Sequence, residues 1–247
     1  MLDRGVAELR KTLSEVQPDV LLVVGGAGGQ DRNAAHPALL IHWGDTVATS
    51  GGPSGAHGTG TGTTYSVSAP LARHLIEQLT DMGFDVAETR CLSERDAGSK
   101  AVGLVGRTLL DGRSQTLVPI VLNTLCPPNQ STAKRCYELG RAIRAAVEAC
   151  DCGTRIGIAG VGAFSPYAVD EDLTQQTLLK ALQARDAATL CALPREQING
   201  GMAEMRSWLT VAGAAEQLDP ELVEYRPWYD AAATGRSLGF VQWAEPK

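Results

Sequence analysis

Apolar positions along the chain fall into short continuous runs, separated by stretches where they recur every three or four residues. Leu2, Val6, Leu9, Leu13 and Val16 mark an amphipathic helix that ends at Gln17-Pro18. Asp19–Val24 is rich in β-branched residues and followed by glycines, the pattern of a strand buried on both faces. Ala38–Trp43 predicts a second strand, and Leu71, Leu75, Leu79 and Met82, behind Pro70, predict a helix stopped by Gly83. A strand over Phe84–Thr89 and a helix over Ala101–Leu110 follow. The run Leu117–Leu122 leads through a Cys126-Pro127-Pro128 turn into a helix opening at Ser131, whose apolar face carries Cys136, Leu139, Ile143 and Val147. A second run, Ile156–Ala159, ends in a glycine-rich turn from Gly160 to Pro166. Strand, crossover helix and strand make a βαβ unit, and ligands of open parallel sheets bind beyond the strands' C-terminal ends. An active site would therefore include Phe164–Tyr167.

Beyond that unit, helices are expected from about Asp170 to Gln183, over Asp186–Leu193, and after Asn199-Gly200-Gly201 with Met202, Met205, Leu209 and Ala212 inward. The tail from Pro220 concentrates Tyr225, Trp228, Tyr229, Phe240 and Trp243, for packing on the domain or for an interface. From Thr49 to Thr64 the chain is mostly Gly, Ser and Thr around His57, too polar to order itself. Alternating strands and helices predict an α/β fold, a single domain over residues 1–247 with a central parallel or mixed sheet flanked by helices.

Composition narrows the function by exclusion. A net charge of −6 without a Lys/Arg cluster gives no footprint for nucleic acid. The longest apolar runs are far below the roughly 18 residues of a membrane span. Six scattered cysteines, with only Cys150-x-Cys152 close-set, fit reduced thiols in a cytoplasmic protein better than a zinc site or a disulfide framework. Gly25-Gly26-Ala27-Gly28-Gly29 follows the first strand, but the dinucleotide spacing G-x-G-x-x-G fails and no Walker lysine occurs.

Five segments carry a resemblance: Pro18-Asp19-Val20-Leu21-Leu22-Val23-Val24-Gly25, Val118-Pro119-Ile120-Val121-Leu122-Asn123-Thr124, Arg135-Cys136-Tyr137-Glu138-Leu139-Gly140, Val169-Asp170-Glu171-Asp172-Leu173, and Asn199-Gly200-Gly201-Met202-Ala203-Glu204-Met205-Arg206-Ser207-Trp208. In this order and spacing the chain resembles the class III extradiol ring-cleavage dioxygenases, the family of the protocatechuate 4,5-dioxygenase catalytic subunit, from about Val6 to Trp243. The resemblance implies that family's α/β fold and an Fe(II) held by two histidines and a glutamate, with a further histidine for acid–base work.

Carried over residue by residue, the pattern keeps one ligand. Glu204 matches the carboxylate. The first histidine belongs in a segment before the first helix, which this sequence is expected to lack. Gly26-Ala27-Gly28 stands where an Asp-His pair is expected, Asp96-Ala97-Gly98 where an Asp-His-Gly is expected, and Gly162-Ala163-Phe164-Ser165 leads to Pro166 instead of the catalytic histidine. A lone carboxylate does not select Fe(II), and proline moves no proton. Four histidines remain. His36 and His42 with Glu204 are the one candidate relocated metal site; His57 lies in the polar segment, and His74 beside Arg73 reads as solvated. Glu204 otherwise reads as a relic satisfied by backbone amides or Arg206.

The resemblance thus implies a non-catalytic, alpha-type subunit of a heteromeric extradiol dioxygenase such as 2-aminophenol 1,6-dioxygenase, cleaving catechol or 2-aminophenol rings. Its partner would be a homologous iron-bearing subunit in an α2β2 assembly. Fe(II) is expected in the partner, with no catalytic residue and no cofactor in this chain. The alternatives are an enzyme of other chemistry using Ser165, Tyr167, Asp96 and Glu204, or a module binding an aromatic ligand in the emptied pocket. Ser165 precedes proline with no histidine near it in sequence and sits in no G-x-S-x-G elbow, which weakens the enzyme alternative.

Overall fold

The computed structural model describes residues 3–27, 36–49, 62–92, 96–162, 169–229 and 235–245. Five strands form the central sheet: β1 (Val20–Ala27), β2 (Leu39–His42), β5 (Ala87–Thr89), β6 (Thr116–Asn123) and β7 (Ile156–Val161), in the order β5-β2-β6-β1-β7. β1 pairs in parallel with both β6 and β7, whereas β2 runs antiparallel to β6 and parallel to β5. The sheet is mixed, with a parallel half that contains the βαβ unit. The strands at its centre are largely apolar because both faces are covered.

Alternation assigns the two faces. Val20, Leu22 and Val24 of β1 join Leu39, Ile41, Ile120 and Leu122 in one core, beneath α2 (Ala69–Asp81) and α4 (Ala133–Glu148). Leu21 and Val23 point the other way, into a core with Val102 and Val105 of α3 (Ala97–Val105). Leu13 of α1 (Asp3–Val16) packs against this second core. A third core joins α4 to α5 (Val169–Gln183), α6 (Ala187–Ala192) and α7 (Met205–Ala214) through Cys136, Leu178, Leu190 and Leu209. Each fully buried Leu or Ile side chain contributes about 1.5–3 kcal/mol relative to exposure.

The α4–α7 crossing is the closest in the molecule's architecture that bears on the site. A Cβ on Gly140 would lie 2.0 Å from Thr210 O, and one on Gly213 would lie 2.1 Å from Tyr137 O. The two helix backbones touch, and this contact fixes the height of α7 over the sheet.

Several expectations are corrected. The strand foreseen from Phe84 begins only at Ala87, because Phe84 is buried in the core under the Arg135 guanidinium, 3.7 Å from its ring centre. The helix over Ala101–Leu110 starts earlier, at Ala97, and its last turn, Gly106–Leu110, widens to a π-helix. The ends of the Gly/Ser/Thr segment are ordered: β3 (Thr46–Ala48) pairs with β4 (Thr64–Ser66), and the Thr49 amide and hydroxyl both donate to Thr63 O at 3.0 and 2.9 Å. His57 and residues 50–61 lie outside the described residues. Asn199-Gly200-Gly201 opens no α-helix directly; two 3-10 turns precede α7.

The aromatic tail is a long hairpin of β8 (Asp219–Tyr229) and β9 (Gly235–Ala244). Phe240 packs on Gly5 of α1, Trp243 packs on two of the cores, and Tyr225 donates its hydroxyl to Gln175 Oε1 at 2.8 Å. Among the described residues, no helix is long and apolar enough to cross a membrane.

Candidate functional site

The parallel strands β1, β6 and β7 end together, and α7 begins above them. Glu204 is the residue on which α7 opens, its carbonyl accepting from Ser207 N at 3.0 Å. Two strand-end glycines press against it. A Cβ on Gly26 would stand 3.2 Å from Glu204 Cγ and 2.6 Å from Thr124 Oγ1. A Cβ on Gly162 would stand 2.5 Å from Glu204 O. The Gly162 carbonyl also accepts from Trp208 Nε1 at 3.3 Å, so α7 is tied to β7 immediately beside the carboxylate. Asp96-Ala97-Gly98 opens α3 on the opposite face of the same edge, where a Cβ on Gly98 would meet Val121 Cγ2 at 2.7 Å. Three of the sequence positions singled out therefore converge at one edge of the sheet, where the βαβ unit placed them.

The loop after β6 is built from buried amides. Asn123 Nδ2 donates to Cys126 O (2.8 Å), Asn129 O (3.2 Å) and His36 O (3.4 Å), while its Oδ1 accepts from Cys126 N (2.9 Å). Gln130 Nε2 bonds Thr124 O. Asn129 Nδ2 donates to His36 O at 3.1 Å, which brings the His36 backbone to this edge as well.

Arg206, fully buried as the second residue of α7, holds the preceding turns. Nε donates to Ser131 O (2.8 Å), Nη1 to Ile198 O and to Ala203 O (3.1 Å), and Nη2 to Asn199 Oδ1 (3.1 Å). Burial lowers its pKa from the usual guanidinium value. The expected role as partner to Glu204 gives way to this one: the guanidinium is engaged by the 198–203 turn and the start of α4. Beside it, burial pushes the Cys136 thiol up to about 12, so it stays protonated.

The relocated set of His36, His42 and Glu204 is not assembled. Ile41 belongs to the α4 face, so its neighbour His42 points to the other face, away from Glu204. Gly26 is level with Leu122 and hence with Leu39, and His42 lies three residues farther down β2. The offset is about 10 Å along the strands and about 10 Å across them. The His42 ring is fully buried, with Nε2 donating to Thr46 O at 3.0 Å. His74 is likewise structural rather than solvated: Nε2 donates to Ala146 O at 2.9 Å and joins α2 to α4.

Fe(II) centres with open positions rest on two imidazoles and a carboxylate. The described donors beside Gly26 are the half-buried Glu204 carboxylate and the buried Thr124 hydroxyl, which supply no imidazole and do not fit such an iron. Among the described residues, no group of three or more His, Cys, Asp and Glu side chains could hold a metal ion. Phe164–Tyr167 and Gly28, which the sequence also pointed to, lie outside the described residues. Thr124 and Gln130 were not foreseen as site residues; the signal was the polar Asn123-Thr124 ending an otherwise apolar strand.

Comparison with known proteins decides the lineage. The family described as the catalytic LigB subunit of aromatic ring-opening dioxygenase matches residues 3–235. The chain belongs to that family. A solved structure titled as an uncharacterized protein, JW3007 from Escherichia coli K12, aligns with a TM-score of 0.53 over 95% of this chain and 91% of that one. At 12% identity that likeness speaks for the fold alone. No curated protein matches the chain. As a LigB-family chain, it has the fold of the aromatic ring-opening dioxygenases.

Proposed function

We propose that this chain is the non-catalytic, alpha-type subunit of a heteromeric non-haem Fe(II) extradiol dioxygenase, working in the cytoplasm in the degradation of aromatic compounds. A homologous, iron-bearing subunit would cleave the catechol or 2-aminophenol ring, in an α2β2 assembly. The observation that carries this reading is the setting of Glu204. The carboxylate survives, but the strand ends beside it are Gly26 and Gly162, each too close to tolerate a side chain without movement. An edge that keeps the family's scaffold and offers glycine around the remaining ligand supports a scaffolding role over turnover. Such a subunit would act by mass action, since binding only the folded form of its partner stabilises that form.

Iron per chain after anaerobic purification tests the proposal, for this chain alone and co-expressed with an iron-bearing homologue. No iron in the chain alone, and about one iron per heteromeric pair with ring-cleaving activity, is the expected result. Tightly held iron in this chain alone would sink the scaffold reading, and His36, which shares the edge with Glu204, would be the first residue to replace. A chain that is stable alone and leaves the homologue unbound would refute the partner.

A further inference from the structure

The one close-set cysteine pair, Cys150 and Cys152, lies at the far end of the molecule from Glu204, in the turn from α4 into β7. The turn is held at both ends. Cys150 N donates to Val147 O at 3.1 Å, continuing the end of α4, and Arg155 N donates to Asp19 Oδ2 at 2.8 Å, fastening the start of β7 to the start of β1. Between these anchors the chain bends at Cys152, reverses at Gly153 (φ 59°), and is braced by Thr154 Oγ1 donating to Cys152 O at 3.0 Å. The two cysteines stand on either side of Asp151 in this turn.

The pair is asymmetric. Cys152 is exposed, and its thiol is pulled below the ordinary cysteine value by the neighbouring Cys150 and Thr154 side chains. Cys150 is half-buried against the core that holds Ile143 and Leu22, and its thiol is raised by the neighbouring Cys152 and by burial. An accessible, thiolate-prone sulfur beside a shielded thiol is the arrangement of an attacking and a resolving cysteine. Elsewhere burial raises the thiols of Cys136 and Cys191, which keeps both unreactive.

We propose that Cys150 and Cys152 are a dithiol redox site that exchanges with low-molecular-weight disulfides and closes reversibly to an intramolecular disulfide. In the first step the Cys152 thiolate attacks one sulfur of an external disulfide RS–SR. The S–S bond breaks, RS⁻ leaves with the bonding pair, and a mixed disulfide forms on Cys152. In the second, the Cys150 thiol gives its proton to the departing thiolate or to water, and its sulfur attacks Cys152 Sγ, expelling the second RS⁻. Two protein thiols lose two electrons together, and one external disulfide becomes two thiols. Excess free thiol drives the same steps backwards. A bridge across a single residue in a tight turn is of the strained, exposed kind that is easily reduced, which suits a switch more than a staple.

The test is to incubate the full-length chain with oxidised glutathione at neutral pH, alkylate the remaining thiols and map the peptides by mass spectrometry. The expected product is a Cys150–Cys152 disulfide, with the other four cysteines alkylated and the bond lost on adding reduced glutathione. In Cys150→Ser the mixed disulfide should persist on Cys152. In Cys152→Ser, modification at position 150 should slow on the order of tenfold. A mixed disulfide that persists on Cys152 of the wild-type chain would overturn the proposal. So would a bond from Cys152 to any other cysteine, or a reaction at Cys152 no faster than at the exposed Cys91. The wild-type map needs no variant, so the outcome does not depend on whether a substitution folds.

Discussion

Close backbone approach is used twice around α7, to opposite ends. At the α4–α7 crossing, Gly140 and Gly213 let two helix backbones touch, and the space a side chain would take is filled by another main chain. At the start of α7, Gly26 and Gly162 bring two strand ends against Glu204, and neither leaves room there for a side chain without movement. The first region is packing brought to completion. The second brings together strand ends, a helix start and a carboxylate, with glycine at the two described positions that press on it. The contrast teaches that a fold can hold its site geometry through packing elsewhere, since α7 is placed by α4 whether or not a ligand is held below it.

The sharpest way to break this comparison is at the crossing. Gly213→Val drives two branched methyls into the Tyr137 carbonyl and parts the helices. The expected loss is about 3 kcal/mol or more, read from the urea midpoint. A loss below about 1 kcal/mol would mean that α7 is not fixed by α4, and the placement of Glu204 would need another cause.

Arg206→Ala comes next. It leaves three carbonyls and the Asn199 side chain without their donor in a buried turn, at an expected cost of about 3 kcal/mol. Amide exchange should speed up first in residues 198–203, because that turn loses three of the four bonds. Uniform destabilisation without a local change would show Arg206 to be packing and not a clamp.

A smaller effect tests the rim of the same helix pair. Arg141 on α4 donates through Nε to Glu216 Oε2 at 2.7 Å and through Nη2 to Oε1, which holds the Glu216 carboxyl below the usual range. A carboxyl depressed in the folded state contributes stability above its unfolded pKa, about 4.3, and loses it as the pH falls through the folded value. Wild type should therefore exceed Glu216→Gln by about 0.5–1 kcal/mol at pH 7, with the gap closing below about pH 4. A gap that widens on acidification would reverse the assignment.

How much of this was legible in the sequence follows from which forces set each part. The βαβ unit was readable because continuous apolar runs and a strict three-four repeat leave one packing solution, and Gly26, Asp96 and Gly162 came to the edge it predicts. Short edge elements were not: β3 and β4 are three residues each, and their pairing across a polar segment leaves no periodicity. Phe84 misled because apolar character marks burial, and only the structure shows that Arg135 covers its ring. His42 and His74 were ambiguous for a related reason. Their ring nitrogens bond carbonyls of Thr46 and Ala146, contacts set by tertiary packing and not by neighbours in sequence. Arg206 read as a partner for a nearby carboxylate, while its acceptors are main-chain atoms that every residue type carries.

The smallest expected effect tests the edge itself. Glu204→Gln keeps the shape of the side chain and removes its charge, so the close contacts with Gly26 and Gly162 remain. If the carboxylate is a relic, folding stability should change by no more than about 0.5 kcal/mol, and the ring-cleaving rate of the heteromeric pair should not move. The two readouts separate the ways of being wrong. A stability loss above about 2 kcal/mol with unchanged activity would make the charge structural, bonded within the edge and retained for folding. A fall in iron content or turnover with unchanged stability would make it a ligand after all. The edge would then be an incomplete site finished by another group, and its contrast with the packed crossing would fail.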